Sequence, residues 1–413
     1  MNEPHVVILG AGFAGIGAMK KLKDAPVRVT MLDRNDYHTF QPLLYQLATG
    51  ELARSEVAFP VREMLHEHPT WQFHQANVTG VDLAQKQVVV EGMEPIAYDY
   101  LVVALGAVVN FFNVGGAAEH AFPLYTMHDA LRLKTHILQL FETVDKDPTL
   151  IEDGALTFCV VGGGPTGVET AGAIAEMLHA ELEEDFPNLP VKRAEVHLYE
   201  ASPHLLGPFK ENLQAYAKKE LKEMGVQVHL GEGVVEIEPT RIHLKSGAVV
   251  KTHTLVWGAG LTGNPLGAEM ETELQRGRVP VNLDLSLPGH PEVFVVGDIA
   301  LITDAKTSKQ LPQLGSVAQQ AGNQVGENIA HLAKGEATEH FKYLDKGTMA
   351  TVGHGAAVVQ LPDGKTMKGH AAWMAWLGVH LVLLSGGEQR SATIVDWGWN
   401  VVTKKRSKRV LVE

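Results

Sequence analysis

Short apolar runs that end in glycine or an acid punctuate the first three hundred positions. Val6-Val7-Ile8-Leu9 leads into Gly10-Ala11-Gly12-Phe13-Ala14-Gly15. Uninterrupted apolar runs predict strands buried on both faces, as in parallel sheets covered by helices. The pattern predicts strands over 5–9 and 27–32, joined by a helix of about 12–23, with Asp33 closing the second strand. That is a βαβ unit. Another run, 100–105, ends in a turn at Gly106. The scheme then repeats. Phe158-Cys159-Val160-Val161 enters Gly162-Gly163-Gly164-Pro165-Thr166-Gly167, and a strand over 195–199 ends at Glu200. Between them, the acidic stretch 181–185 extends the helix, and Pro187 and Pro190 turn the chain back. A run over 254–257 ends in glycines through Gly260, as the run before Ala104 and Gly106 does. The duplication is an internal repeat at domain scale. Val293 to Val296 forms one more strand, ending in Gly297-Asp298, and a helix pattern runs over 312–333.

The last stretch changes period. Trp373, Trp376, Leu377, His380, Leu381 and Leu384 follow helical spacing. A helix over 371–384 spans roughly 21 Å at about 1.5 Å per residue, short of the ~30 Å hydrocarbon core. Ile394, Trp397, Val401 and Val402 mark a second amphipathic stretch, followed by Lys404-Lys405-Arg406-Ser407-Lys408-Arg409. Tryptophan, apolar helices and a basic cluster together suit a segment lying in a membrane interface. Core or dimer-interface helices with a solvated basic end are the alternative. If the tail is only an anchor, a chain cut before Ala371 stays folded and leaves the membrane. The expected fold class is α/β, with two Rossmann-like dinucleotide-binding domains and a C-terminal amphipathic helical membrane-binding segment over 351–413.

Composition narrows the partners. The chain of 413 residues carries a formal net charge of −13, which argues against nucleic acid. Residues 365–413 hold eight Lys/Arg against three Asp/Glu, so the acidic excess lies in the body. The tail therefore suits an anionic surface. The single cysteine, Cys159, sits in a predicted buried strand, so a disulfide or redox pair within the chain is excluded, and no cluster of metal ligands is apparent. The chain enters a strand without a basic and apolar leader, which predicts no signal peptide and a cytoplasmic body.

The glycine turns carry the chemistry. They let backbone approach a pyrophosphate, and the following helix N-terminus offers free N–H groups. Asp33 and Glu200 are placed to accept from ribose hydroxyls, and Glu200 repels a 2′-phosphate, which favours NADH over NADPH. Asp298 can accept from the ribityl hydroxyls of a flavin held by the first unit. Glu169 follows Gly167 in the first turns of a helix. The helix dipole suits an acid there, and the position also lies near where a nicotinamide meets a flavin.

The segment 38–50, His38-Thr39-Phe40-Gln41-Pro42-Leu43-Leu44-Tyr45-Gln46-Leu47-Ala48-Thr49-Gly50, resembles the flavin-side loop of bacterial type II, non-proton-pumping NADH:quinone oxidoreductases. Residues 162–169, 296–300 and 318–321 resemble that family's NADH turn, second flavin strand and quinone-site helix. The resemblance spans almost the whole chain. It implies an FAD domain over 1–112 and 285–350, using Gly10, Gly12, Phe13, Ala14, Gly15, Asp33, Arg34, Val78, Ala104, Gly106, Asp298 and Ala318. It implies an NADH domain over 113–284, using Gly162, Gly164, Gly167, Glu200 and Gly260. Quinone is expected past Gln46 and Gln319, with Glu169 and Gln319 in the chemistry, in a homodimer on the cytoplasmic face of the membrane. One departure is Asn323, where the family often carries a second glutamine; it is assigned no role. The expected activity is hydride transfer from NADH to FAD, then two-electron reduction of menaquinone or ubiquinone. A soluble NADH-dependent reductase of a small iron–sulfur protein and a non-catalytic dinucleotide sensor are the alternatives. Disulfide and sulfide:quinone reductases need cysteines that this chain lacks.

Overall fold

The computed structural model describes residues 3–66, 68, 70–403, 406 and 408–411. The chain forms two compact units. One holds the residues up to His38 with Pro60–Val108 and Leu261–Asp345; the other holds Thr39–Phe59, Val109–Gly260 and the chain from Lys346. The sequence boundaries at 112, 284 and 350 concern which nucleotide each stretch binds.

The first unit is built on a six-stranded sheet. Its order is Ser286–Leu287, His290–Val295, Tyr100–Val103, His5–Leu9, Arg28–Asp33 and Trp71–Gln75. His5–Leu9 pairs in parallel with both neighbours. Val6, Val7, Ile8 and Leu9 are wholly buried, which is why their run shows no alternation. The helices Phe13–Lys21 and Gly315–Ala333 pack together in this unit. The Gly315–Ala333 helix starts three residues inside the predicted one.

The second unit repeats the plan. Its parallel sheet runs Phe122–Pro123, Thr254–Trp257, Thr157–Val161, Glu195–Glu200 and Val226–Leu230. Cys159 is buried in its middle, and burial pushes the thiol up to about 12. It is a packed core side chain with no thiolate character. The acidic stretch does extend the Pro165–Met177 helix, through a π turn at Leu178–Leu182 and a last turn at Glu183–Asp185.

Two elements of this unit lie outside the sequence expectations. The helix Met127–Lys146 opens on a capping box: Thr126 Oγ1 accepts from the Asp129 N–H, and Asp129 accepts from the Thr126 N–H. It buries Ala130, Leu133, Ile137, Phe141 and Val144, a helical stripe. The strands Thr348–Gly353, Ala356–Gln360 and Thr366–Lys368 form an antiparallel sheet turned at His354-Gly355. The tail forms the helices His370–Leu383 and Gly387–Thr403. Among the described residues, no helix is long and apolar enough to cross a membrane.

Candidate functional site

Each unit presents the same cradle. In the first, the Gly10 N–H donates to the Leu32 carbonyl at 2.7 Å and the Ala11 N–H to Asp33 Oδ2 at 2.7 Å. In the second, the Gly162 N–H donates to the Tyr199 carbonyl at 2.9 Å and the Gly163 N–H to Glu200 Oε2 at 2.5 Å. The other carboxylate oxygens accept from Asn35 at 2.7 Å and Ser202 at 2.6 Å. The duplication seen in the sequence therefore extends to individual hydrogen bonds. Gly10 and Gly162 have φ of +102° and +113°, open to glycine and strained for other residues. A Cβ on Gly15 or Gly167 would lie 1.8 or 1.7 Å from the Gly10 or Gly162 carbonyl oxygen. These glycines are thus set by the turn itself.

The cradles fit dinucleotides. The helices Phe13–Lys21 and Pro165–Met177 start at Gly12 and Gly164 with no side-chain cap and no acid in the first turn. A helix N-terminus favours an anion, and nothing stands within 4 Å of where a Cβ would project from either glycine. Asp33 and Glu200 spend one acceptor direction per oxygen on backbone and retain the others for ribose hydroxyls. Burial raises the Asp33 carboxyl, and its two backbone donors pull it back.

Other predicted residues gather around these turns. A Cβ on Gly297, beside Asp298, would sit 3.2 Å from that of Ala14 and 3.7 Å from that of Ala318, so the first unit brings these three together. Ala104 is buried with its N–H on the Leu9 carbonyl, and the Gly106 carbonyl accepts from Asn264. Val78 is buried at the start of the Val78–Asp82 strand. Arg34 is exposed, its carbonyl accepts from Gln75, and its charge helps to lower the Asp33 carboxyl. Gln319 is half-buried on the Gly315–Ala333 helix, its carbonyl 2.8 Å from where a Gly17 Cβ would lie. Asn323 Oδ1 lies 3.0 Å from the same point. In the second unit, the Gly260 carbonyl accepts from Asn110, and the Phe112 ring covers the glycine.

The second unit also holds a small cavity of about 20 Å³, roughly one water. It is lined by Tyr45, Gln46, Glu51, Glu169, Ala173, Glu176, Thr351, Gly353, His354 and Trp373. Glu169 accepts from the Thr351 N–H at 3.1 Å, and burial pushes its carboxyl up to about 8. Burial also raises Glu51 to about 7, against the pull of Arg406, and holds the Tyr45 hydroxyl well above its usual range. Gln46 and Glu169, far apart in sequence, thus line one cavity. Thr351, Glu51 and Tyr45 were assigned no role from the sequence. Thr351 sits on the unforeseen sheet, whose His-Gly turn between β-branched and small residues was its only signal.

Tail charges differ from expectation. Arg406 is buried. It donates to Glu176 Oε2 at 2.7 Å and to the Ala173 carbonyl at 2.9 Å, and lies 3.4 Å from Glu181. Arg409 binds Glu181 and Asp185, and Lys408 pairs with Asp396. These cations face carboxylates of their own unit, because Glu181 is buried and needs compensating charge. Lys404, Lys405 and Ser407 lie outside the described residues. The tail helices are two-faced. Trp376, His380 and Trp397 are buried, while Met374, Val379, Val382, Ile394, Val395, Trp399 and Val402 are exposed.

A family profile described as pyridine nucleotide-disulphide oxidoreductase matches residues 4–322. The chain is 37% identical, over 99% of its length and 90% of the relative's, to a type II NADH:quinone oxidoreductase of Mycobacterium tuberculosis. The chain belongs to the type II NADH:quinone oxidoreductase family. A Staphylococcus aureus type II NADH:quinone oxidoreductase is 31% identical over 90% of the chain and 93% of its own length. A solved structure titled NDH2 from Plasmodium falciparum in complex with NADH shares the fold, with a TM-score of 0.90 over the full length of both chains at 20% identity. Membership accounts for the pairing of two cradles with one cysteine: this type II NADH:quinone oxidoreductase has the frame of a disulfide reductase without a redox cysteine pair.

Proposed function

We propose that this chain oxidises NADH and reduces a membrane quinone, with FAD as its resident cofactor. The observation that carries the reading is the duplicated cradle, which provides two uncapped helix N-termini with a carboxylate beside each. FAD occupies the 1–112 and 285–350 domain, held by Gly10, Gly12, Phe13, Ala14, Gly15, Asp33, Arg34, Val78, Ala104, Gly106, Asp298 and Ala318. NADH binds the 113–284 domain at Gly162, Gly164, Gly167, Glu200 and Gly260. When bound, FAD supplies a two-electron acceptor for hydride. The balance is NADH plus a proton plus quinone giving NAD⁺ plus quinol, so a proton must reach the quinone from the protein or solvent. Glu169 is suited to hold that proton, since burial keeps its carboxyl protonated at neutral pH. Gln46 and Gln319 supply amides for quinone oxygens.

The helices of the 351–413 region attach the enzyme peripherally through their exposed apolar faces, on the cytoplasmic side of the membrane. Pairing of Arg406, Lys408 and Arg409 within the chain leaves the apolar faces as the principal contact, with a lesser part for anionic headgroups. The enzyme acts as a homodimer, as the family resemblance implies. A soluble iron–sulfur reductase has no use for these apolar faces.

The test is anaerobic. The purified chain carries one yellow FAD that NADH bleaches and a quinone analogue restores. Gln319→Leu slows the restoration at least about tenfold and spares the bleaching. Turnover with ferredoxin but not with quinone refutes the reading.

A further inference from the structure

A line of buried polar side chains joins a tail helix to Glu169. Trp397, on the helix Gly387–Thr403, donates its indole N–H to Gln46 Oε1 at 3.0 Å. Gln46 Nε2 donates to the Tyr45 hydroxyl at 3.1 Å, and that hydroxyl lies 3.0 Å from Thr351 Oγ1. Thr351 Oγ1 is 3.5 Å from Glu169 Oε1, whose closer partner is the Thr351 N–H. Tyr45, Gln46, Thr351 and Trp397 are each less than one-tenth exposed.

The direction of these bonds follows from donor chemistry. An indole N–H only donates. Gln46 must therefore turn its oxygen to Trp397, which leaves its amide N–H for Tyr45. Tyr45 then accepts from Gln46 and gives its own proton to Thr351. The Thr351 hydroxyl, having accepted, has its single proton left for Glu169. Without the indole N–H, the Gln46 amide is free to flip. Tyr45 can then donate to Gln46, and Thr351 can donate to Tyr45 in place of Glu169.

We propose that Trp397 is a positioning residue for Glu169: through Gln46, Tyr45 and Thr351 it fixes the direction of a hydrogen-bond array that ends on the carboxylate. The inference rests on the reading of Glu169 as the proton-holding group for quinone reduction. Donation to an ionised carboxylate favours the ionised form, so the array restrains the upward shift that burial causes. The other titratable groups around Glu169 are Tyr45 and Glu51 from the 39–59 segment, Glu176 on its own helix, His354 from the antiparallel sheet and Arg406 from the tail. Removing only the indole N–H leaves Glu51, Glu176, His354 and Arg406 in place and changes Tyr45 only in the direction of its hydrogen bonds. The same helix exposes Ile394, Val395, Trp399 and Val402 on its other side, so one element carries both the apolar face and the head of the array.

The test uses the full-length, FAD-loaded enzyme. Infrared difference spectra follow the protonated carboxyl band of Glu169, assigned by its loss in Glu169→Gln. In Trp397→Phe the titration midpoint should rise by about half a pH unit, the scale of one neutral hydrogen bond. The alkaline limb of quinone reduction should move up with it. Tyr45→Phe leaves the Thr351 hydroxyl no acceptor but Glu169 and should not raise the midpoint, whereas Thr351→Val removes the hydroxyl that ends the array and should raise it as Trp397→Phe does, which keeps the test decisive if Trp397→Phe does not fold. An unchanged or lowered midpoint in Trp397→Phe, even with a fall in melting temperature, or in Thr351→Val where Trp397→Phe does not fold, overturns the proposal and leaves Trp397 a packing residue. If Glu169→Gln leaves quinone turnover unchanged at every pH, the functional reading of Glu169 fails. The infrared midpoint still judges the array in that case.

Discussion

Glu169 folds into surroundings that disfavour its charge, and burial pushes its carboxyl from 4.5 up to about 8. The sign for stability follows from proton counting. Between those values the unfolded chain is ionised while the folded chain keeps its proton, so this group makes stability fall as pH rises through the interval, and the loss levels off above about 8. Glu169→Gln removes the penalty. We expect the variant to melt at least about 2 °C above the parent at pH 8.5, with the gap closing toward pH 5. Thermal scans across pH decide it; a constant gap means the carboxyl is not shifted. The same variant should retain FAD and lose steady-state turnover with quinone. The position of Glu169 two residues beyond Gly167 was legible in the sequence. Its partner Thr351 was not, because the contact joins positions 182 residues apart.

The tail elements were legible as helices, and their period survived nearly to the residue: His370–Leu383 against an expected 371–384. Which face meets what was not legible. A stripe of Trp376, His380 and Trp397 reads the same whether it meets lipid or protein. Here it meets protein: His380 stacks on Trp376 at 3.8 Å, and burial lowers its imidazole to about 4. A cut before Ala371 therefore removes Trp376, Trp397 and Arg406 from a folded unit. The expectation of an intact soluble remainder is corrected accordingly: the truncated second unit should lose stability. Point substitutions separate the two roles. Arg406→Ala leaves Glu176 without its buried partner and Glu181 with Arg409 alone, and should cost about 3–5 kcal/mol, read by denaturant unfolding. Lys408→Ala breaks a more exposed pair with Asp396 and should cost less than about 1 kcal/mol. Similar costs for both would refute the buried clamp. Val382→Asp with Val402→Asp, on the exposed faces, should keep the melting temperature and reduce binding to lipid vesicles at least tenfold, about 1.4 kcal/mol. High salt should remove little of the parent from vesicles, since three tail cations are already paired. Release of the parent by salt alone would put the electrostatic term first.

At the scale of the molecule, one βαβ plan is used twice, and the copies differ in the acid that closes the second strand. Glu200 binds the Gly163 and Ser202 N–H groups, which fixes a carboxylate beside the second turn. A 2′-phosphate there would meet that charge. NADH should therefore reduce the bound flavin at least about a hundredfold faster than NADPH in stopped flow. Glu200→Gln should narrow the difference. Equal rates in the parent would remove Glu200 from the specificity.

The sequence by itself determined the duplicated fold. Strand, glycine turn, helix and closing acid are local features, set by backbone sterics and by burial on both faces, and each can be read within about thirty residues. It likewise determined the absence of a cysteine pair and the helical period of the tail. Only the tertiary structure decided the cavity. Tyr45, Glu51, Glu169, Thr351 and Trp373 come from four separate stretches of chain. Their protonation depends on desolvation, which no single stretch specifies. It also decided the fate of the basic cluster. Arg406 reads as a surface charge until Glu176 and Glu181, over 220 positions away, are found waiting for it in the interior. A buried carboxyl either pairs with a cation, as here, or keeps its proton, as Glu169 does, and that choice exists only once the chain has folded.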